Sequence, residues 1–169
     1  MEFSRAGEGP KFLDPKFAVV AIACANTTLL GTALRDYLKL QEVGAIHMVV
    51  AVANADGNPI ILHQETNGGN GKPFKKPYPE IARSKALQLW FGKNGGHGGS
   101  PSPHLLFAGD TPYHGGVKRE GIVVACSADG LKPWVEVFIS GMVADMLIAL
   151  AHQAWVESED YTEKRSFLT

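Results

Sequence analysis

Asp110-Thr111-Pro112-Tyr113-His114-Gly115-Gly116 sets a carboxylate, a phenol and an imidazole just ahead of a double-glycine corner. An imidazole steered by a carboxylate can pass a proton near neutral pH, or ligate iron. Tyr113 could cover a flat ligand or donate its phenolic proton. Adjacent glycines tolerate positive φ and close approach, so Gly115 and Gly116 could offer backbone N–H groups to a carboxylate or oxyanion. Their plainer reading is a tight turn. The apolar run Ile122-Val123-Val124-Ala125-Cys126 that follows is a buried strand, which makes the corner a candidate pocket wall.

A second group of polar side chains lies on Glu80-Ile81-Ala82-Arg83-Ser84-Lys85. Facing the pocket, Arg83 could clamp an acidic ligand group in a bidentate pair, with Glu80 one turn before it. The competing reading is a wet i, i+3 pair between Glu80 and Arg83. Lys85 joins His114, Asp110 and Tyr113 as the set expected to move protons, since a general base and an oxyanion donor suffice for enolisation. Gly115, Gly116, Arg83 and Glu80 are the expected ligand-binding set.

No metal site is expected. His47 and His63 flank a hairpin and are expected to face the same side, but a third ligand is missing. His97, His104 and His152 share no ligand spacing, and no H-x-H, H-E-x-x-H or C-x-x-C occurs. There is no G-x-S-x-G, P-loop or dinucleotide fingerprint either.

Composition narrows the class. A chain of 169 residues, 45% apolar and 20% charged, suits one globular domain. Sixteen basic and 17 acidic residues leave a net charge of −1, no footprint for nucleic acid or an anionic membrane. Cys24 and Cys126 both sit in apolar runs and read as buried, reduced thiols, with a single bridge between them as the alternative; the expected location is cytoplasmic. Phe17 to Ala25 (FAVVAIACA) resembles the core of a secretory signal. Acidic residues and two prolines precede it, so it reads as part of the fold. No run is expected to reach the roughly 18 apolar residues of a membrane span.

The elements follow in order. Residues 1 to 16, broken by glycine and proline, form an arm, loose or wrapped on a neighbouring subunit. Thr28-Leu29-Leu30, Ala33-Leu34 and Tyr37-Leu38 recur at helical spacing, with Asn26 or Thr27 as N-cap and Gly44 as stop. The preceding Phe17 to Cys24 fits a strand or an earlier helical turn. His47 to Ala53 and Pro59 to Glu65 make a hairpin around Asp56-Gly57. Thr66 to Pro79 is a loop, its Lys72, Lys75 and Lys76 forming a solvated edge. Pro79 opens a helix that Gly92 stops. Asn94 to Ser102 (NGGHGGSPS) is a candidate lid or an insertion. His104 to Ala108 is a short helix or strand. Pro133 opens a long helix, apolar on more than one face, that must bury itself on the sheet and on another subunit. Residues 17–156 form the domain and 157–169 a polar tail. This order predicts an α+β domain with a central antiparallel sheet and helices packed on it.

These pieces resemble one known family. "VAVANADGNPIIL", the helix "PEIARSKALQLWFG", "HGGV" and "GIVVACS" follow in the order seen in GlcG/HbpS-like haem-binding proteins, which show an "AV-x-DADG-x-LL" hairpin, an "IA-x-x-KA-x-T" helix and a "GGVP" corner. The likeness spans about Thr28 to Ala151. It implies a profilin-like fold, homo-oligomers and a small-molecule pocket at the corner, with haem or a related tetrapyrrole as one ligand. Lys85 matches the family's helix lysine. Two departures stand out. Only Lys118-Arg119-Glu120 separate Val117 from Gly121, so one strand of the family's hairpin is shortened or lost. The helix between Thr27 and Leu40 has no histidine to offer a haem. The expected function is small-molecule binding, the alternative a cofactor-independent isomerase or lyase using the same pocket.

Overall fold

The computed structural model describes residues 2–4, 7–40, 43–68, 73–94 and 101–161. Lys72, His97, most of the expected lid and the last part of the tail lie outside the described residues. The elements are α1 (Pro15–Leu30), α2 (Thr32–Tyr37), β1 (Ile46–Ala53), β2 (Pro59–Asn67), α3 (Tyr78–Trp90), β3 (Gly116–Arg119), β4 (Ile122–Ala128) and α4 (Pro133–Val156). The strands form one antiparallel sheet in the order β2-β1-β4-β3. Helices pack on both faces, as an α+β domain requires.

Strand alternation divides the core. Val49, Ala51, Val123 and Ala125 point to α3 and meet Ala82, Ala86 and Leu89. Met48, Val50, Val52, Val124 and Cys126 point to α1 and α4, against Ala18, Ile22, Ile139, Val143 and Leu147. The central strands β1 and β4 are therefore apolar apart from His47 and Ser127, which is why their sequences run without polar alternation.

The first helix differs from expectation. Asp14 caps it through the Lys16 N–H, 2.8 Å away, and Pro15 stands in its first turn. Asn26 and Thr27 are thus interior residues, and Phe17 to Cys24 is helix. The helix breaks at Gly31, resumes as the six-residue α2 and ends at Tyr37 with Leu38 as its cap, before Gly44 is reached. Cys24 is exposed, a correction to the expected pair of buried thiols, and neither cysteine is bridged. Part of the arm lies on the chain's own hairpin: the Ser4 N–H donates to the Pro59 carbonyl at 2.8 Å.

The β1–β2 turn is held by Asn54, whose Oδ1 accepts from the Asp56 and Asn58 N–H groups. Gly57 supplies the positive φ of 80°. A bulge between Val50 and Ala51 then shifts the register, so that His63 lies opposite Val50 and His47 opposite Thr66. The two histidines consequently face opposite sides of the sheet, overturning the expected pair.

Helix α4 is long and apolar enough, by length and composition alone, to cross a membrane, contrary to the expectation that no segment is. Its Val135, Glu136, Ile139, Ser140, Val143, Ala144 and Leu147 are buried in the domain, while Trp134 is 67% exposed.

Candidate functional site

A short hairpin joins β3 to β4. Glu120 and Gly121, both at positive φ, connect β3 to β4 in a two-residue turn. Strand β3 pairs only from Arg119 back to Gly116, opposite Ala125, whereas β4 continues to Ala128. Beyond Ala125 the outer edge of β4 has no partner strand; the Cys126 N–H reaches the Gly115 carbonyl at 3.3 Å. Helices α3 and α4 approach each other past this uncovered edge.

Lys85 and Glu136 meet there. The Lys85 ammonium donates to Glu136 Oε2 at 2.7 Å, to the Cys126 carbonyl at 3.0 Å and to Ser127 Oγ at 3.5 Å. Their side chains are only 2% and 5% exposed. Burial pushes the Glu136 carboxyl up to about 7, with Lys85 and the Ala128 backbone pulling back toward the ion. Behind the pair, burial drives the Cys126 thiol up to about 12, so it is inert packing.

A cavity of about 210 Å³ opens in front of the pair, lined by Lys76, Tyr78, Tyr113, His114, Ser127, Asp129 and Pro133 as well as Lys85 and Glu136. Asp129 accepts from Tyr78 at 3.1 Å and pairs with Lys75 at 2.6 Å, and these two donors hold it below the usual carboxylate range. Burial and Asp129 raise the Tyr78 phenol to about 12. The Lys76 ammonium lies 5.6 Å from the centre of the Tyr113 ring.

Of the residues expected to move protons, Lys85, Tyr113 and His114 line the cavity and Asp110 does not. Burial pushes Asp110 up, but Lys93 and the Phe107 N–H outweigh it, so it is a salt-bridged turn residue and not a partner of His114. Among the ligand-binding set, Arg83 donates to Gln64 on β2 at 2.8 Å, away from the cavity. Glu80 makes no ion pair with it, so neither reading of that pair holds among the described residues. Gly115 and Gly116 are buried and pack instead of lining the space. A Cβ at Gly115, where φ is 133°, would strike the Glu136 side chain, and one at Gly116 would come within 2.7 Å of Leu89 and the Val124 carbonyl. The glycines let α3, α4 and β4 close on one another.

Glu136, Ser127, Tyr78 and Asp129 were not anticipated. Glu136 had a signal: the segment Trp134-Val135-Glu136-Val137-Phe138 places one carboxylate among apolar residues in the first turn of a helix bound to be buried.

A haem does not fit this cavity. Cofactor-sized pockets run from roughly 300 Å³ upward, and His114 is the only imidazole on the wall among the described residues. No family model, curated protein or solved structure matches the chain.

Proposed function

We propose that the chain binds a small molecule in the cavity between Tyr113-His114 and the Lys85–Glu136 pair. The observation that carries this reading is a buried, internally paired charge couple forming the floor of an open space. Hydroxyl, imidazole and ammonium groups converge on it, as the few polar groups that orient a ligand do. The order of hairpin, helix, glycine corner and strand supports kinship with GlcG/HbpS-like proteins, and with it assembly into a homo-oligomer. Two unbridged thiols, one of them exposed, agree with a cytoplasmic location.

The test uses isotope-labelled protein and a fragment library followed by NMR. Fragments are expected to shift the amides of Tyr113, His114, Ser127 and Asp129, and Ser127→Leu, which fills the space, is expected to remove the response. A library that leaves these amides unmoved in folded protein would overturn the proposal.

One observation favours a second reading, an acid/base enzyme without a cofactor. Glu136 lines the cavity, and burial pushes its carboxyl up to about 7, a range in which a carboxyl can both take and return a proton. Mass spectrometry of whatever co-purifies separates the two: a carrier returns its ligand unaltered, an enzyme releases a changed product.

A further inference from the structure

We infer that the occupant of this cavity is a small organic carboxylate, held by Ser127, His114 and Lys76; the inference rests on the small-molecule reading above. It follows from what the wall has already used and what it still has to offer.

The wall's negative groups are spent. Glu136 is bonded to Lys85 and to the Ala128 backbone, and Asp129 is shared by Lys75 and Tyr78. Lys85 is spent as well, because its three N–H groups face Glu136, Cys126 and Ser127. It therefore holds the floor together and does not reach for a ligand.

The groups left over are chiefly donors. Ser127 is 3% exposed, and its oxygen already accepts from Lys85, so its hydroxyl proton needs an acceptor elsewhere. The His114 ring has no hydrogen bond among the described residues and presents one N–H in either neutral tautomer. Lys76 is exposed, its charge acts on Asp129 without an ion pair at contact distance among the described residues, and the Tyr113 ring lies under its ammonium. A buried hydroxyl and an imidazole without protein acceptors, beside an ammonium outside any ion pair, favour a guest that brings acceptors and negative charge. A carboxylate supplies both, with two oxygens that accept several hydrogen bonds. A cation would add to Lys76 and find each carboxylate already paired.

Matched probes test this on the full chain: acetate with acetamide, and benzoate with benzamide. Each acid and its amide have nearly the same shape and differ in charge. Titrations are read at the Tyr113, His114, Ser127 and Asp129 amides by NMR. The acids are expected to bind about tenfold tighter than their amides, the gain of charge-assisted over neutral hydrogen bonds. Lys76→Gln and Ser127→Ala are each expected to weaken the acid several-fold and to leave amide binding little changed. Amides that bind as well as the acids would overturn the inference while the small-molecule reading survives. If the acids and the wider fragment library both leave these residues unmoved, both proposals fall.

Discussion

The Lys85 ammonium and the Glu136 carboxylate lie 2.7 Å apart although their carriers, α3 and α4, pack on opposite faces of the sheet. They meet because β3 ends early and leaves the edge of β4 open. A buried ion pair of this kind ties two layers together at one point, and removing either partner strands the other charge without solvent.

Lys85→Met is therefore expected to cost about 3–5 kcal/mol, the usual penalty for an orphaned buried charge. The double variant Lys85→Met/Glu136→Leu should recover much of that loss, because apolar pairs of similar volume substitute well for buried ions. Urea unfolding of wild type, both single variants and the double variant measures the coupling. Strictly additive losses would show that the two side chains do not depend on each other.

Glu136 also sets a pH dependence. Its folded value of about 7 lies above the ordinary 4.5, so between these limits the folded state binds more protons than the unfolded one. Stability from this group is full below about pH 4.5 and falls as pH rises through 7. The urea midpoint of wild type should decline between pH 5 and pH 7.5, and Glu136→Gln should flatten that decline. A wild-type midpoint that rises over this interval, with Glu136→Gln following the same course, would place the carboxyl in water.

Gln88 predicts how the Tyr113-His114 wall is held. It is fully buried, accepts from the Thr111 N–H at 2.9 Å and donates to the Thr111 carbonyl at 3.0 Å, as a neighbouring strand would. The Thr111 hydroxyl in turn accepts from the Tyr113 N–H. Gln88→Leu leaves the Thr111 backbone without partners, at a cost of about 1–3 kcal/mol. Hydrogen exchange should speed up at Thr111 and Tyr113 and stay unchanged in the middle of α4. Uniform acceleration along the chain would mean that Gln88 serves global stability alone.

Local chemistry made some of this legible from sequence. Asp56-Gly57 marks the hairpin, Pro79 and Gly92 bracket α3, and the valine-rich runs mark the two central strands. What escaped depends on register and on distant partners. One bulged residue at the centre of β2's pairing sends His63 to the other face, and no local signal announces it. Asp110 stands four residues before His114, yet Lys93 and the Phe107 N–H claim it first. Glu136 was visible as an acid in an apolar helix. Its meaning appeared only when Lys85, 51 positions away, came within hydrogen-bond distance.

The four-residue length of β3 has a consequence for how this architecture can change. Two further paired residues, Gly115 and His114, would lie opposite Cys126 and Ser127 and bring main chain across the mouth of the hollow. Insertions or deletions ahead of Gly116, at the end of β3 nearest the hollow, would therefore set how much of it stays open while the charged floor is left intact.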